Sequence, residues 1–429
     1  MAKDNTQISI FDLNLENKTN DLLKGIKNRY QSIKNASLEE VFNIFNNLNL
    51  DKSHFVSKDD ICTPMECVKQ MVDYIPNEFW KRKRIKILDP CCGNGNFGAY
   101  CRFKTNDNNI WYNDLNINRL ANCRDLLNPK HLLNEDALCL NMKNQFDLVI
   151  ANPPYSGGGN KNQSISNKFI EQSIKLVKNK GYICFITPNN WMTFNNNNTT
   201  LKSLLSCGSF VVIDNNVKKY FPQIGSSFTV FVWQKGIFDN KTKVINSYLK
   251  KDIQENVIIP KSMQFLPLYL SNEVISIVLK MVNGDNGKFK YRCDLHNFTQ
   301  KSKLSDKKDE IYRYETIHTV KKTRYANEKQ DIYNKWLIII PLSTYFVPFI
   351  RNKVNVTQSV GYIAFNYKKE ATDYLNLLKR PEYKVIIHLT RYGNFNNIML
   401  LKHLKFENNY KFTDKEIQII NELYNLIKY

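Results

Sequence analysis

Short apolar runs separated by segments of helical periodicity recur between residues 84 and 235: Ile85 to Leu88, Ile110 to Tyr112, Phe146 to Ile150, Tyr182 to Ile186, Phe210 to Ile213 and Phe228 to Trp233. Continuous apolar runs are the mark of strands buried on both faces, and their alternation with helical segments predicts a mainly parallel sheet covered by helices on each side. Between the last two runs stand only Tyr220-Phe221-Pro222 and a Gly225-Ser226-Ser227 turn. That is too little for a crossover helix and predicts an antiparallel edge. Upstream, Leu38, Val41, Phe42, Phe45 and Leu48 recur at helical spacing in a polar, Asn/Lys-rich stretch, so residues 1–55 are expected to form a helical extension. The Asn195 to Asn198 tract continues no helix and marks a loop. Past residue 240 the alternation gives way to aromatic, basic and β-branched stretches such as Trp336 to Ile340 and Val360 to Phe365. We therefore expect three parts: the extension (1–55), an α/β domain (56–245) and a second domain (246–429).

Composition narrows the class. The chain has 429 residues, 42% of them hydrophobic, but no run of 18 apolar residues; the N-terminal stretch lacks the basic start and apolar core of a signal peptide, so a cytoplasmic protein without membrane association is expected. Ten cysteines without a CxxC pair and six scattered histidines predict reduced thiols and no metal site. The net charge of +21 arises from 61 basic and 40 acidic residues, and positions 261–429 hold 28 of the former against 16 of the latter. Such a surplus fits a polyanionic partner, and it equally fits the Lys/Asn/Ile bias of an AT-rich genome. Motifs must decide.

Asp89-Pro90-Cys91-Cys92-Gly93-Asn94-Gly95 follows the first run and precedes a helix, a context in which glycines let backbone approach a nucleotide-like ligand and the acid at the strand end supplies a carboxylate. Asp114 ends the second run, where a carboxylate can accept both ribose hydroxyls. Asp136, after the third probable strand, is placed to accept from the amino group of an adenine moiety. The strongest signal is the strand Phe146 to Ala151 running into Asn152-Pro153-Pro154-Tyr155. An aromatic exocyclic amine is a poor nucleophile because its lone pair is delocalised into the ring. The Asn152 side-chain oxygen and the Pro153 carbonyl, stiffened by consecutive prolines, can each accept one amino hydrogen and localise that pair. Tyr155 supplies an aromatic platform for a base lifted out of the duplex. Cys91 and Cys92 stand in the ligand loop and not on the base-facing loop, so a cysteine nucleophile is not expected.

These residues, in this order, resemble the amino-methyltransferases, and specifically the γ group of N6-adenine DNA methyltransferases: Thr63-Pro64 first, then the Asp89 to Gly98 loop, then Asn152 to Tyr155, then a basic C-terminal region. The resemblance covers about residues 56–235. It implies a Rossmann-like S-adenosylmethionine-dependent methyltransferase domain followed by a target-recognition domain. It also implies that Thr63 and Pro64 contact the methionine part of the cofactor, that Asp89, Pro90, Gly93 and Gly95 wrap it, and that Asp114 holds the ribose. Leu115 and Ala137 would pack on the cofactor adenine and Asp136 would bond its amino group. The family often has an aromatic residue before Thr-Pro, where this chain has Cys62, and often a second aromatic against the flipped base; Phe194 is the candidate, with a loop-anchoring role as its alternative.

The substrate expected on this resemblance is double-stranded DNA, methylated at adenine N6 by a monomer, with any cognate restriction endonuclease on a separate chain. RNA adenine and release-factor glutamine methyltransferases share the catalytic loop and remain alternatives, as does a non-catalytic DNA-binding protein on the same fold. Basic and aromatic side chains interleave at Lys321, Lys322, Arg324 and Arg391, which are the candidate DNA contacts.

Overall fold

The computed structural model describes residues 24–51, 61–155, 165–194, 198–222, 227–239, 241–247, 252–282, 284, 289–296, 301–342, 346–391, 396, 398–407 and 409–427. The apolar runs form strands: β1 (Ile87–Asp89), β2 (Ile110–Asn113), β3 (His131–Leu133), β4 (Phe146–Ala151), β5 (Val177–Pro188), β6 (Gly208–Asp214) and β7 (Phe228–Lys235), followed by β8 (Thr242–Ile245) and β9 (Ile253–Val257). The chain divides into two compact units, one of residues Met1–Thr187, Cys207–Ser209 and Val230–Ile237, the other of Pro188–Ser206, Phe210–Thr229 and Phe238–Tyr429. The bounds expected from the sequence, near residues 55 and 245, fall elsewhere. The helical extension packs within the first unit, and segments on both sides of residue 188 alternate between the two.

In the first unit the strand order is β3-β2-β1-β4-β5-β7. β1 runs parallel to β2 (Asp89 opposite Tyr112) and to β4 (Ile87 opposite Leu148), β2 parallel to β3, and β4 parallel to β5. Leu148, Val149, Ile150 and Ala151 are all 0% exposed, as strands covered on both faces must be. From β1 the chain steps to β2 and β3 on one side, then returns to β4 on the other. The loops at the carboxyl ends of β1 and β4 therefore part, opening a crevice at the point where the strand order reverses. The helix Asn96–Cys101 lies close on the sheet at Gly98, where a Cβ would stand 2.1 Å from the Tyr112 hydroxyl.

The extension is helical over 24–35 and Leu38–Leu50. Ser37 caps the second helix, its Oγ accepting from Glu40 N (3.2 Å) while Glu40 Oε2 accepts from Ser37 N (2.7 Å). Val41 and Phe45 are fully buried and Phe42 meets the Tyr100 ring edge-on, whereas Leu38 faces solvent.

In the second unit β6 does not end the sheet: it pairs in parallel with β8 (Ile213 opposite Val244), and β9 runs antiparallel to β8. Four residues of β8 are too short a run to register as a strand beside their polar flanks. The C-terminal region carries two four-stranded sheets. One, of order β10-β17-β14-β15, contains Phe289–Tyr291, Val360–Phe365, Trp336–Pro341 and Phe349–Asn352. The other, of order β11-β13-β12-β16, contains Leu304–Ser305, Thr323–Ala326, Tyr314–Ile317 and Asn355–Val356. Leu337, Ile339, Val356, Val360 and Tyr362 form their shared core. Among the described residues no helix is long and apolar enough to cross a membrane.

The last helix, Asp414–Leu426, is anchored by Glu416, 3% exposed, which accepts from Thr413 N (2.6 Å) and from Lys280 Nζ (2.8 and 2.6 Å). Burial opposes ionisation of this carboxyl, but Lys280, Ser276 and the Thr413 N–H outweigh it and hold it below its ordinary value of 4.5. A depressed carboxyl stabilises the fold above its unfolded-state pKa and loses that contribution as pH falls through the folded one. We expect Glu416→Ala to cost about 2 kcal/mol at neutral pH in chemical denaturation and the difference from wild type to shrink below about pH 4. An equal difference at pH 3 and pH 7 would show that the ion pair contributes nothing.

Candidate active site

A cavity of about 460 Å³ opens at the carboxyl ends of β1 to β4, within the range of sites for cofactor-sized ligands. Five stretches wall it: Ile61 to Thr63; Pro90 to Asn94 after β1; Asn113 to Asn116 at the end of β2; Glu135 to Ala137 after β3; and Asn152 to Tyr155 after β4.

The loop after β1 turns through Gly93 and Gly95, both at positive φ (54° and 93°), a conformation glycine adopts without strain. A Cβ on Gly95 would lie 2.6 Å from Leu127 and 2.9 Å from the Cys123 sulfur, so this glycine serves packing. Asp114 pins the loop: one carboxylate oxygen accepts from Gly93 N (2.7 Å), the other from Asn116 N (2.8 Å). Leu115 is 68% exposed, an apolar side chain left open beside the carboxylate, and Asn134 Nδ2 holds its backbone in place by donating to the Asp114 and Leu115 carbonyls (2.6 and 3.3 Å). Asp136 caps the following turn, accepting from Leu138 N at 2.9 Å.

Asp89 is fully buried; Oδ1 accepts from Cys91 N at 3.4 Å, and Oδ2 has no hydrogen-bond partner among the described residues. Burial pushes its carboxyl well above the usual range, against the Cys91 N–H and with the Asp114 charge adding to it. A buried carboxylate oxygen without a protein partner fits a site completed by a cationic or hydrogen-bond-donating group, such as the amino-acid end of an S-adenosylmethionine molecule.

On the other wall the Asn152 amide is oriented by its nitrogen, which donates to the Ile61 carbonyl (3.2 Å) and to Thr63 Oγ1 (3.0 Å). Its oxygen accepts from the Tyr155 hydroxyl at 2.5 Å. Burial drives that hydroxyl well above its ordinary pKa, so it stays a donor at any working pH. The Cys91 thiol donates to the Asn152 carbonyl at 3.6 Å; burial raises its pKa, as do the Asp89 and Asp114 charges, and a thiol so held is not a nucleophile.

Of the residues expected to hold a cofactor, Thr63, Pro90, Gly93, Asp114, Leu115, Asp136 and Ala137 line the cavity; Pro64, Asp89 and Gly95 stand behind its wall. Asn152, Pro153, Pro154 and Tyr155 all line it. Phe194 does not. Its ring is 4% exposed, edge-on to Phe265 and tilted against His403 in the second unit, which matches the loop-anchoring role and not a base platform. Lys321 and Lys322 are exposed and Arg391 half-buried. Arg324, by contrast, is 9% exposed, because its position on β13 alternates inward, and its Nε lies 2.7 Å from the exposed carboxylate of Asp306; its charge is largely covered and paired.

The residue missed altogether is Asn113. Fully buried, its amide donates to the Pro90 and Glu135 carbonyls (2.9 Å each) and accepts from Glu135 N (3.0 Å), tying together the loops after β1, β2 and β3.

A parallel sheet reversing its order at a cavity walled by a glycine loop, a strand-end acid and an Asn-Pro-Pro-Tyr turn defines an S-adenosylmethionine-dependent methyltransferase fold with S-adenosylmethionine as cofactor. Comparison with known families places the chain more closely. It belongs to the Eco57I restriction-modification methylase family, whose model matches residues 3–221. The chain is similar to the Type II methyltransferase M.HincII of Haemophilus influenzae, 26% identical over 279 residues that cover 60% of this chain and 53% of that one. M.HindII of the same species is also 26% identical, with 52% of its length covered; the chain thus spans about half the length of the curated relatives it matches. Among solved structures, the ATP-dependent Type ISP restriction-modification enzyme LlaBIII bound to DNA shares the fold (TM-score 0.51, 13% identity, 87% of this chain and 39% of that one). So does the DrdV–DNA complex (TM-score 0.50, 11% identity, 91% and 59%).

Proposed function

We propose that the chain is a site-specific DNA methyltransferase that transfers the methyl group of S-adenosylmethionine to the N6 amino group of adenine in double-stranded DNA, by base flipping and direct transfer. The observation that carries this reading is the fixed Asn152 amide. With both its hydrogens donated to Ile61 and Thr63, the side chain presents an oxygen, and no hydrogen, as its free end. That oxygen has two lone pairs: the Tyr155 hydroxyl takes one, and the other accepts an amino hydrogen of the target base, while the Pro153 carbonyl accepts the second. Both acceptors draw hydrogen density away from N6 and localise its lone pair. The cofactor supplies an electrophilic methyl on a sulfonium, so no covalent bond between protein and base is required; the proton shed by N6 after transfer passes to water. DNA as the substrate rests on the family and on the relatives' names, together with the basic surplus of the C-terminal region. The enzyme acts as a monomer, and an endonuclease that shares its recognition sequence would be a separate chain.

The test is transfer of labelled methyl to unmethylated duplex DNA, followed by nucleoside digestion and mass spectrometry. N6-methyladenine is expected. Label appearing in RNA or in a release factor, with DNA unlabelled, would keep the catalytic loop and overturn the substrate.

Tyr155 has two separable roles here. Tyr155→Phe removes the bond to Asn152 and keeps the stacking ring, so kcat should fall about tenfold; Tyr155→Ala removes the platform too and should fall roughly 100-fold or more. Equal losses for the two variants, measured in single-turnover assays, would place the whole effect in the hydroxyl.

A further inference from the structure

The helix Leu38–Leu50 ends on two asparagines, Asn46 and Asn49, whose amides bond inward to the cavity-wall segments. Asn46 Oδ1 accepts from Met65 N at 3.0 Å, and its Nδ2 donates to Glu66 at 3.1 Å. Asn49 Nδ2 donates to the Thr63 carbonyl at 3.1 Å, and its Oδ1 accepts from Asn96 Nδ2 at 3.0 Å. Asn96 donates in turn to the same Thr63 carbonyl at 2.8 Å. Thr63 and Asn96 are 5% and 6% exposed. Thr63 Oγ1 is the acceptor that orients Asn152, and Asn96 opens the helix behind the Gly93–Gly95 loop.

These bonds form one closed triangle, Asn49–Asn96–Thr63, with the cofactor loop attached at one corner and the catalytic amide at another. We infer that Asn49 is a positioning residue for both: through Asn96 it sets the glycine loop, and through Thr63 it sets the side chain of Asn152. The inference rests on the methyltransferase function proposed above. A purely fastening role for Asn49 is poorly matched by the packing, because Val41 and Phe45, each 0% exposed, already bury the helix one and two turns upstream. A buried bond network loses more than one bond when a member is removed, since the remaining donors and acceptors are left unpaired.

Two variants of the full chain test this. Asn49→Ala should lower kcat about tenfold and weaken S-adenosylmethionine binding about fivefold by calorimetry, with the melting temperature within a few degrees of wild type. A fastening role predicts the reverse: a lower melting temperature with kcat and Kd of the folded protein unchanged, and that outcome overturns the inference. Asn49→Asp provides a second readout. Ionised, its carboxylate still accepts from Asn96 but opposes the Thr63 carbonyl; protonated, it can donate to that carbonyl again. The activity of Asn49→Asp relative to wild type should therefore rise as pH falls toward the carboxyl range, whereas the Asn49→Ala ratio stays flat. A flat ratio for Asn49→Asp overturns the inference even if Asn49→Ala fails to fold. Cofactor binding is measured without DNA, so the two proposals fail separately. If wild type methylates no DNA but Asn49→Ala still weakens cofactor binding, the substrate is wrong and the positioning role stands. If wild type methylates DNA and Asn49→Ala matches it in kcat and Kd, only the positioning role falls.

Discussion

Asn152→Ala is expected to lower the methyl-transfer rate at saturating cofactor about 1,000-fold, or about 4 kcal/mol, while S-adenosylmethionine affinity stays within about threefold of wild type. The size follows from where the amide acts. Its oxygen is held by two bonds on the nitrogen side before any base arrives, to the Ile61 carbonyl and to Thr63 Oγ1, so the acceptor needs no reorganisation as charge develops on N6. The truncation also leaves the Tyr155 hydroxyl without its acceptor. Cofactor binding is spared because the Asp114 and glycine-loop contacts lie on the opposite wall. Single-turnover transfer and cofactor calorimetry on the same preparation separate the two effects. A loss of affinity as large as the loss of rate would make Asn152 a cofactor residue and remove the argument from lone-pair localisation. Asn152→Asp sharpens the point: it keeps an acceptor for the amine but sets a carboxylate against the Ile61 carbonyl, and should fall between wild type and alanine.

Asp114→Ala should weaken S-adenosylmethionine binding about 100-fold, roughly 2.7 kcal/mol, with kcat at saturation changed far less. Two contributions add. The carboxylate is the acceptor proposed for the ribose hydroxyls, and charge-assisted bonds of this kind are each worth about 1.5–3 kcal/mol. The same oxygens hold Gly93 N and Asn116 N at 2.7 and 2.8 Å, so the variant also releases the glycine loop that walls the cavity. Calorimetry across Asp114→Ala and Asp114→Asn separates these parts, because asparagine retains one oxygen for the backbone. A wild-type Kd for Asp114→Asn beside a weakened Asp114→Ala would confine Asp114 to loop support, and an unchanged Kd in both would remove it from cofactor binding.

The residues that line the cavity after β1, β2 and β4 were legible because each follows the end of an apolar strand, and strand ends are visible in the sequence as abrupt changes from apolar to polar. Asp114 and Asn152 are of this kind. What holds them was not. Asn113 ends the same strand as a fully buried amide, yet a lone polar residue beside an acid reads as part of the loop. Asn46 and Asn49 occupy helix positions that ordinarily face water, and their partners lie 14 to 47 residues away, a range over which periodicity carries no information. Arg324 and Phe194 misled for a related reason. Residue type says that a guanidinium belongs at the surface and that an exposed-looking loop offers its ring, but Asp306 neutralises the first and Phe265 with His403 encloses the second. The compact units do not follow the composition shifts near 55 and 245, since strand neighbours are chosen by long-range pairing, as where β8 pairs with β6.

Asn113 closes β2 and Asp114 is the first residue beyond it. The first ties three loops together through its buried amide, and the second holds the glycine loop with its carboxylate; both border the cavity. Sliding β2 by a single position towards its own start would put the Asp114 carboxylate into the buried amide's place and the Leu115 side chain into that of the carboxylate, losing both roles at once. Length changes in this protein therefore have an unequal landscape: the turns between Arg102 and Asn109 can gain or lose a residue as long as Ile110 still enters opposite Ile87, but from Ile110 to Asp114 the chain admits neither insertion nor deletion. Descendants of this sequence can vary in almost every connection around the site while this five-residue stretch keeps its count.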